Sequence, residues 1–309
     1  MRYAGESVTH AEFYRAPTRW RVARQLATAA TLLLLLALML TPTQTAYGLD
    51  FTVTDEASLN AAITAINAGG GGPHSITLGA NITLTGATVT INNAAASAIT
   101  IQGAGFTING GGVARIFTIA AGTTVVINNL TLTNGFFIGP GGAILSSGNL
   151  TITNSTLANN AATTWGGGIY NNGTLTITDT TFTGNNGNYG GGLFNDDGGN
   201  TTIARSTFSG NTATANGGAL INDSPAGVVQ VINSTISGNN ATTNGGGIML
   251  DGTGTVTLTN STLANNGALG GGGGIYAFLG PVTAVNSIVA GSGGGNCVAA
   301  GGGSIGSTG

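Results

Sequence analysis

The sequence predicts an all-β chain wound as a right-handed parallel β-helix: about eight coils of three short strands, with an N-terminal capping helix. Three observations predict it, namely a repeat of about 26 residues, period-2 alternation of apolar residues within each repeat, and turn-forming Gly, Asn and Asp between the alternating runs. The phrase GG-[AG]-[IL] sets its aliphatic residue at Ile144, Ile169, Leu193, Leu220, Ile248 and Ile275. A second phrase, [ST]-[LFI]-x-x-N, sets its apolar residue at Leu157, Phe182, Phe208, Ile236 and Leu263, with a degenerate copy at Val289. Between them run Leu150-Thr-Ile152, Leu175-Thr-Ile177, Val229-Gln-Val231 and Val256-Thr-Leu258. No such strand buries its apolar face alone, so successive units must stack at about 4.8 Å per coil.

Taken in order, residues 1–48 read as an export signal. A basic region from Arg15 to Arg24 precedes the apolar run Leu26 to Leu40, and Ala46-Tyr47-Gly48 offers small residues for cleavage. At 15 residues the run is shorter than the roughly 20 of a membrane-spanning helix, and an uncleaved anchor is the alternative. Residues 49–75 read as a strand and a capping helix, N-capped by Asp55, with Leu59, Ala62, Ile63 and Ile66 on one face. Residues 76–292 are the β-helix, and 293–309 a truncated tail too glycine-rich to pack.

Stacking predicts three inward ladders. The first is the GG-phrase aliphatics. The second is Ile152, Ile177, Ile203, Val231, Leu258 and Val285. The third runs from Leu157 to Val289. Asn160, Asn185, Asn211, Asn239 and Asn266 form a turn ladder whose amides satisfy one another, and the N-x-[ST] triplets follow from Asn turns preceding Thr strands. The 56 glycines supply corners, where left-handed geometry costs them nothing.

The charge balance excludes whole classes of function. Of 7 basic and 10 acidic residues, only Arg115 and Arg205 and eight acids lie beyond residue 48, leaving that body at −6. It cannot neutralise a run of phosphates, so nucleic acid is not a partner. His74 reads as a solvated turn residue, and Arg205 as a surface partner of Asp179 one coil earlier. No nucleophile, base and orienter set is visible, and no catalytic residue or cofactor is assigned.

Two outward ladders are candidate sites. Asp196, Asp223 and Asp251 fall on one turn with Asp197 beside them, which suits calcium; the alternative is plain turn geometry. One residue after each aliphatic come Leu145, Tyr170, Phe194, Ile221, Met249 and Tyr276, an outward apolar contact stripe unless a corner or turn covers it.

At this point the residues resemble a known group. GGAI (Gly141 to Ile144) with F-x-x-N (Phe182 to Asn185, Phe208 to Asn211) resembles the polymorphic outer membrane protein repeat. The wider pattern GGGIY…LTIT…STLANN is similar to secreted bacterial β-helix proteins of the pectin lyase-like superfamily, over about residues 50 to 297. Asn286 to Cys297 (NSIVAGSGGGNC) resembles surface proteins that end in interchangeable anchors. The resemblance implies a truncated frame lacking a disulfide partner for Cys297 and an anchor. The expectation is an exported, non-catalytic structural or adhesive module, secreted or at the cell surface, in the outer membrane if the envelope has one. It would bind a surface protein or glycan along a rigid face and touch membrane only through the signal or a missing anchor. The alternatives are a polysaccharide-processing β-helix, active or degenerate, and a fragment with no function of its own.

Overall fold

The computed structural model describes residues 47–308, and nearly all of the segment read as an export signal lies outside them. The described residues wind into a parallel β-solenoid of about ten turns, with one helix near the N-terminal end. Four parallel sheets, of eleven, nine, eight and six strands, run along it among the described residues. One coil shows the path. Ile144–Ser146 lies in the eight-stranded sheet, Asn149–Thr153 in the eleven-stranded, Thr156–Ala158 in the nine-stranded and Ala161–Ala162 in the six-stranded, before the chain returns to Ile169–Asn171.

Each such coil therefore carries four strand segments, where the sequence predicts three. The fourth is two residues long, too short to show alternation, and its inward position holds Ala or Gly on every coil after the first, where Phe137 pairs with Ala162; Ala213, Ala241 and Ala268 form a small cluster of their own. The extra turns beyond eight come from both ends. Asp50–Val53 pairs with His74–Leu78. At the other end Cys297–Ala299 pairs with Ile275–Ala277, and Ser304–Thr308 with Pro281–Val285. The segment expected not to pack thus continues two of the sheets, because ladder hydrogen bonds need only the backbone.

The inward ladders fill the solenoid. Ile144, Ile169, Leu193, Leu220, Ile248 and Ile275 are fully buried, as are Leu157, Phe182, Phe208, Ile236 and Leu263. Phe182 and Phe208 stack with centroids 4.3 Å apart. Val289, at the last rung, is only partly buried. One member of the second ladder is corrected: Leu258 pairs with Ala284, so Val285 faces outward opposite Thr259. A slip of one residue reverses a strand's faces, and the weak alternation of Pro281–Val285 hides the true register.

The helix Glu56–Asn67 begins at Asp55, whose carboxylate accepts from the Ser58 N–H at 2.7 Å while Ser58 Oγ accepts from the Asp55 N–H. This reciprocal cap satisfies two orphan donors. Leu59, Ala62, Ile63 and Ile66 are buried and join the main core with Ile76 and Leu78. Burying each large aliphatic contributes about 1.5–3 kcal/mol.

Two kinds of corner shape the coil. After the eleven-stranded sheet a single left-handed residue turns the chain, at Asn129, Asn154, Asp179, Arg205, Asn233, Asn260 and Asn286, with φ between 46° and 51°. Asn tolerates this region best among residues with a side chain. The GG phrase makes the other. Its first glycine is left-handed, at φ 68° for Gly217 and 65° for Gly245. A Cβ on the next, Gly218, would run into the carbonyls of Gly246 and Asn240.

Candidate functional site

The apolar ladder Leu145, Tyr170, Phe194, Ile221, Met249 and Tyr276 stands in register from coil to coil on the outward side of the eight-stranded sheet. It is largely covered. Phe194, Ile221 and Met249 are buried and form a second apolar cluster, separate from the core, with Tyr170, Tyr189 and Tyr276 packed against it. The cover is the GG turn. A Cβ on Gly245 or Gly272 would stand 2.9 Å from the Cβ of Met249 or Tyr276, and one on Gly217 would overlap the Ile221 side chain. Alternation locates the ladder; the left-handed glycines fold the chain over it.

At one end of this cluster the cover opens. Tyr170 stacks on Phe194 with centroids 5.9 Å apart, and Trp165 leans against both at 6.1 and 5.9 Å while remaining 40% exposed. In the corresponding loop one coil beyond the buried segment, at its other end, Leu269 is 85% exposed.

The acids lie next to it, on the turn between the eight- and eleven-stranded sheets. The N–H groups of Asp196, Asp223 and Asp251 donate to the carbonyls of Asn171, Asn195 and Asn222 at 2.8, 2.9 and 3.0 Å, which stacks the three on successive rungs. Asp196 accepts a hydrogen bond from the Tyr170 hydroxyl. Burial, with that hydrogen bond second, pushes the Tyr170 hydroxyl above the usual phenol range. Burial also pushes the Asp223 carboxyl up to about 6, helped by the charges of Asp251, Asp196 and Asp197. Asp251 is raised by burial as well. Among the described residues no group of three or more His, Cys, Asp or Glu side chains is gathered closely enough to hold a metal. The structure brings the four acids to one corner without gathering three of them closely, because Asp196, Asp223 and Asp251 sit on successive rungs and Asp197, beside Asp196, faces solvent.

This corner also absorbs the variation in repeat length. It spans two residues at Ser147-Gly148, four at 196–199 and five at 223–227, while the neighbouring strands keep their pairing.

His74 departs from expectation. It opens the strand His74–Leu78 and is 2% exposed, not a solvated turn residue. Its Nδ1 accepts the Leu49 N–H at 3.0 Å, and Nε2 lies 3.0 Å from the Gly70 carbonyl, so the imidazole ties the first strand to the helix end. The Asp179 and Arg205 pair is as expected, bidentate at 2.8 Å on both arms and exposed. Cys297 is an exposed free cysteine.

Three buried polar features escape the sequence reading. Arg115 donates to the carbonyls of Gly141 and Pro140 at 3.0 and 2.6 Å and sits 3.6 Å above the Phe137 ring; burial lowers its guanidinium to about 10. Asn171, Asn195 and Asn222 form an amide chain inside the solenoid, each link 2.9 Å. They follow the inward aliphatics by two residues, so period 2 places them inward, but three asparagines do not suggest a core. Lastly, Ser155, Thr180, Ser206, Ser234 and Ser261 are buried after the left-handed corner, each hydroxyl accepting a backbone N–H from the previous coil.

No family model, curated protein or solved structure matches the chain. Its described residues form an all-β parallel solenoid of about ten turns with one short helix.

Proposed function

We propose that the protein is an exported surface module, a right-handed β-helix of pectin lyase-like kind with polymorphic outer membrane protein-type repeats, which holds a protein or glycan along one rigid face and performs no chemistry. The observation that carries this reading is the second apolar cluster outside the core, with Trp165 40% exposed at its open end. A solenoid fills its interior for stability; an additional aromatic group stacked outside it and still exposed offers a sugar ring or an apolar side chain a flat contact. Laddered strands hold that contact in place with little ordering left to be lost on binding. The test is retention of the labelled chain on a glycan array and on intact bacterial cells. Trp165→Ser and Tyr276→Ser, each checked for an unchanged melting profile, should abolish retention; retention equal to the parent chain's would overturn the reading.

A second reading has its own observation. Asp223, with its carboxyl pushed up to about 6 beside Asp251, resembles the raised acid of a carboxylate pair that processes polysaccharide. Release of reducing ends or unsaturated products from acidic polysaccharides by the parent chain, and its loss in Asp223→Asn, would favour that reading over the first.

A further inference from the structure

Tyr170 joins the aromatic contact to the acidic corner. Its ring stacks on Phe194 and lies 6.1 Å from that of Trp165, centroid to centroid, while its hydroxyl donates to Asp196 on the next coil. Trp165 and Asp196 therefore border the same partly exposed ring. Trp165 is itself open to solvent, and so is Asp197 beside Asp196. Farther along the ladder the surface closes, because Ile221 and Met249 are buried.

The acids of this corner have no counter-charge among the described residues. The guanidinium groups there are those of Arg115, held by the carbonyls of Pro140 and Gly141, and Arg205, held by Asp179. The chain contains no lysine. Repulsion is felt within the corner as a result: after burial, the charges of Asp251, Asp196 and Asp197 raise the Asp223 carboxyl further. A cation brought from outside relieves that repulsion, and a neutral or anionic ligand does not. A metal ion is a poor match, since no three carboxylates gather closely enough to hold one. The complementary cation is one that spreads its charge over a flat group and can lie on an aromatic face. Guanidinium has both properties, and it pairs with carboxylates through two arms.

We propose that this corner captures an arginine side chain carried on a segment of a partner protein. The inference rests on the surface-module reading and names the chemistry of its partner. Both halves of the contact already occur within the chain: the Arg115 guanidinium lies 3.6 Å over the Phe137 ring, and Arg205 meets Asp179 through two bonds of 2.8 Å. At the corner an open aromatic and open carboxylates stand side by side, joined by Tyr170. A protein segment fits better than a glycan. The open aromatic is followed by buried members of its ladder, so there is one stacking point and no row of them for successive sugar rings. A neutral sugar also leaves the carboxylates unmatched, whereas charge complementarity selects a basic partner.

The experiment uses the whole chain. Its probe is a labelled peptide of alternating serine and arginine, read by fluorescence polarisation beside the same peptide with citrulline, which keeps the shape and lacks the charge. The parent chain should bind the arginine peptide about tenfold tighter than the citrulline peptide, and Asp196→Asn combined with Asp197→Asn should bring the two within about twofold. Asp50→Asn, on the first coil, should keep the full preference. Melting profiles confirm that each variant is folded. Equal binding of the two peptides by the parent chain overturns the proposal, as does no binding of the arginine peptide or an undiminished preference in the double variant. Capture of N-acetylglucosamine oligomers in place of the arginine peptide also overturns it. Retention on bacterial cells separates the two readings. Retention lost in Trp165→Ser but kept in the double Asn variant refutes the arginine contact and leaves the surface module standing, whereas retention kept in both refutes both.

Discussion

The side-chain amide of Asn185 donates to Oδ1 of Asn211 at 2.9 Å, and the same oxygen takes the Asn185 backbone N–H at 3.0 Å. Asn211 repeats both bonds to Asn239, and Asn239 to Asn266, so one residue type clips each coil to the next. Asn211 also donates to the Phe182 carbonyl at 3.0 Å. Replacing it with Ala leaves several buried partners unmet, each costing about 1–3 kcal/mol. Asn211→Ala should therefore lower the unfolding free energy by about 3–5 kcal/mol, read from denaturant midpoints at constant slope.

Two glycines of similar backbone angle should answer differently to the same change. Gly210 and Gly217 have φ 63° and 68°, yet a Cβ on Gly210 meets nothing within 4 Å while one on Gly217 overlaps Ile221. Gly210→Ala should cost only the left-handed penalty of about 1–2 kcal/mol. Gly217→Ala adds displacement of the apolar cluster and should yield little folded protein. Equal thermal midpoints for the two variants would contradict this account of the GG turn.

Asp223 makes stability depend on pH in a defined direction. Its folded value, about 6, lies above the ordinary 3.8, so the folded chain holds the proton more tightly than the unfolded one. That stability is full below pH 4 and is lost as pH rises through 6. Asp223→Asn should remove the loss and stabilise the protein at pH 7 by about 1–2 kcal/mol, allowing for partial exposure. Thermal midpoints from pH 4 to pH 7 should fall more steeply for the parent chain than for the variant.

Arg205 occupies a left-handed corner, φ 49°, that Asn takes on most other coils. Its pair with Asp179 is exposed and screened by solvent. Arg205→Asn should leave the thermal midpoint unchanged or raise it, and the parent chain's midpoint should respond little to added salt. A clear fall in the variant would show the ion pair to outweigh the backbone preference.

Particular residues show how far the sequence could be read. Ile144 to Ile275 and Leu157 to Leu263 were legible because one residue class recurs at each rung, and a repeated signal outweighs local noise. Ala161–Ala162 was not, because a two-residue strand has no period. His74 was misplaced by its Gly-Pro setting; only the far-off Leu49 and Gly70 reveal why it is buried. At the candidate site the register of Tyr170, Phe194 and Met249 was legible and a covering turn stood as an alternative, but the choice between cover and exposure was not. It depends on the path of a glycine turn, and glycine carries no side-chain pattern to follow.

The corner that carries Asp196, Asp223 and Asp251 varies from two to five residues while the strands on either side keep their partners. Insertions there are spent sideways and leave the axial pitch untouched. The protein therefore works like a ruler whose graduations are fixed by backbone pairing and whose labels can be rewritten. New segments spliced into that corner at chosen coils would be displayed at preset intervals, and duplicating a coil would lengthen the scale without recalibrating it.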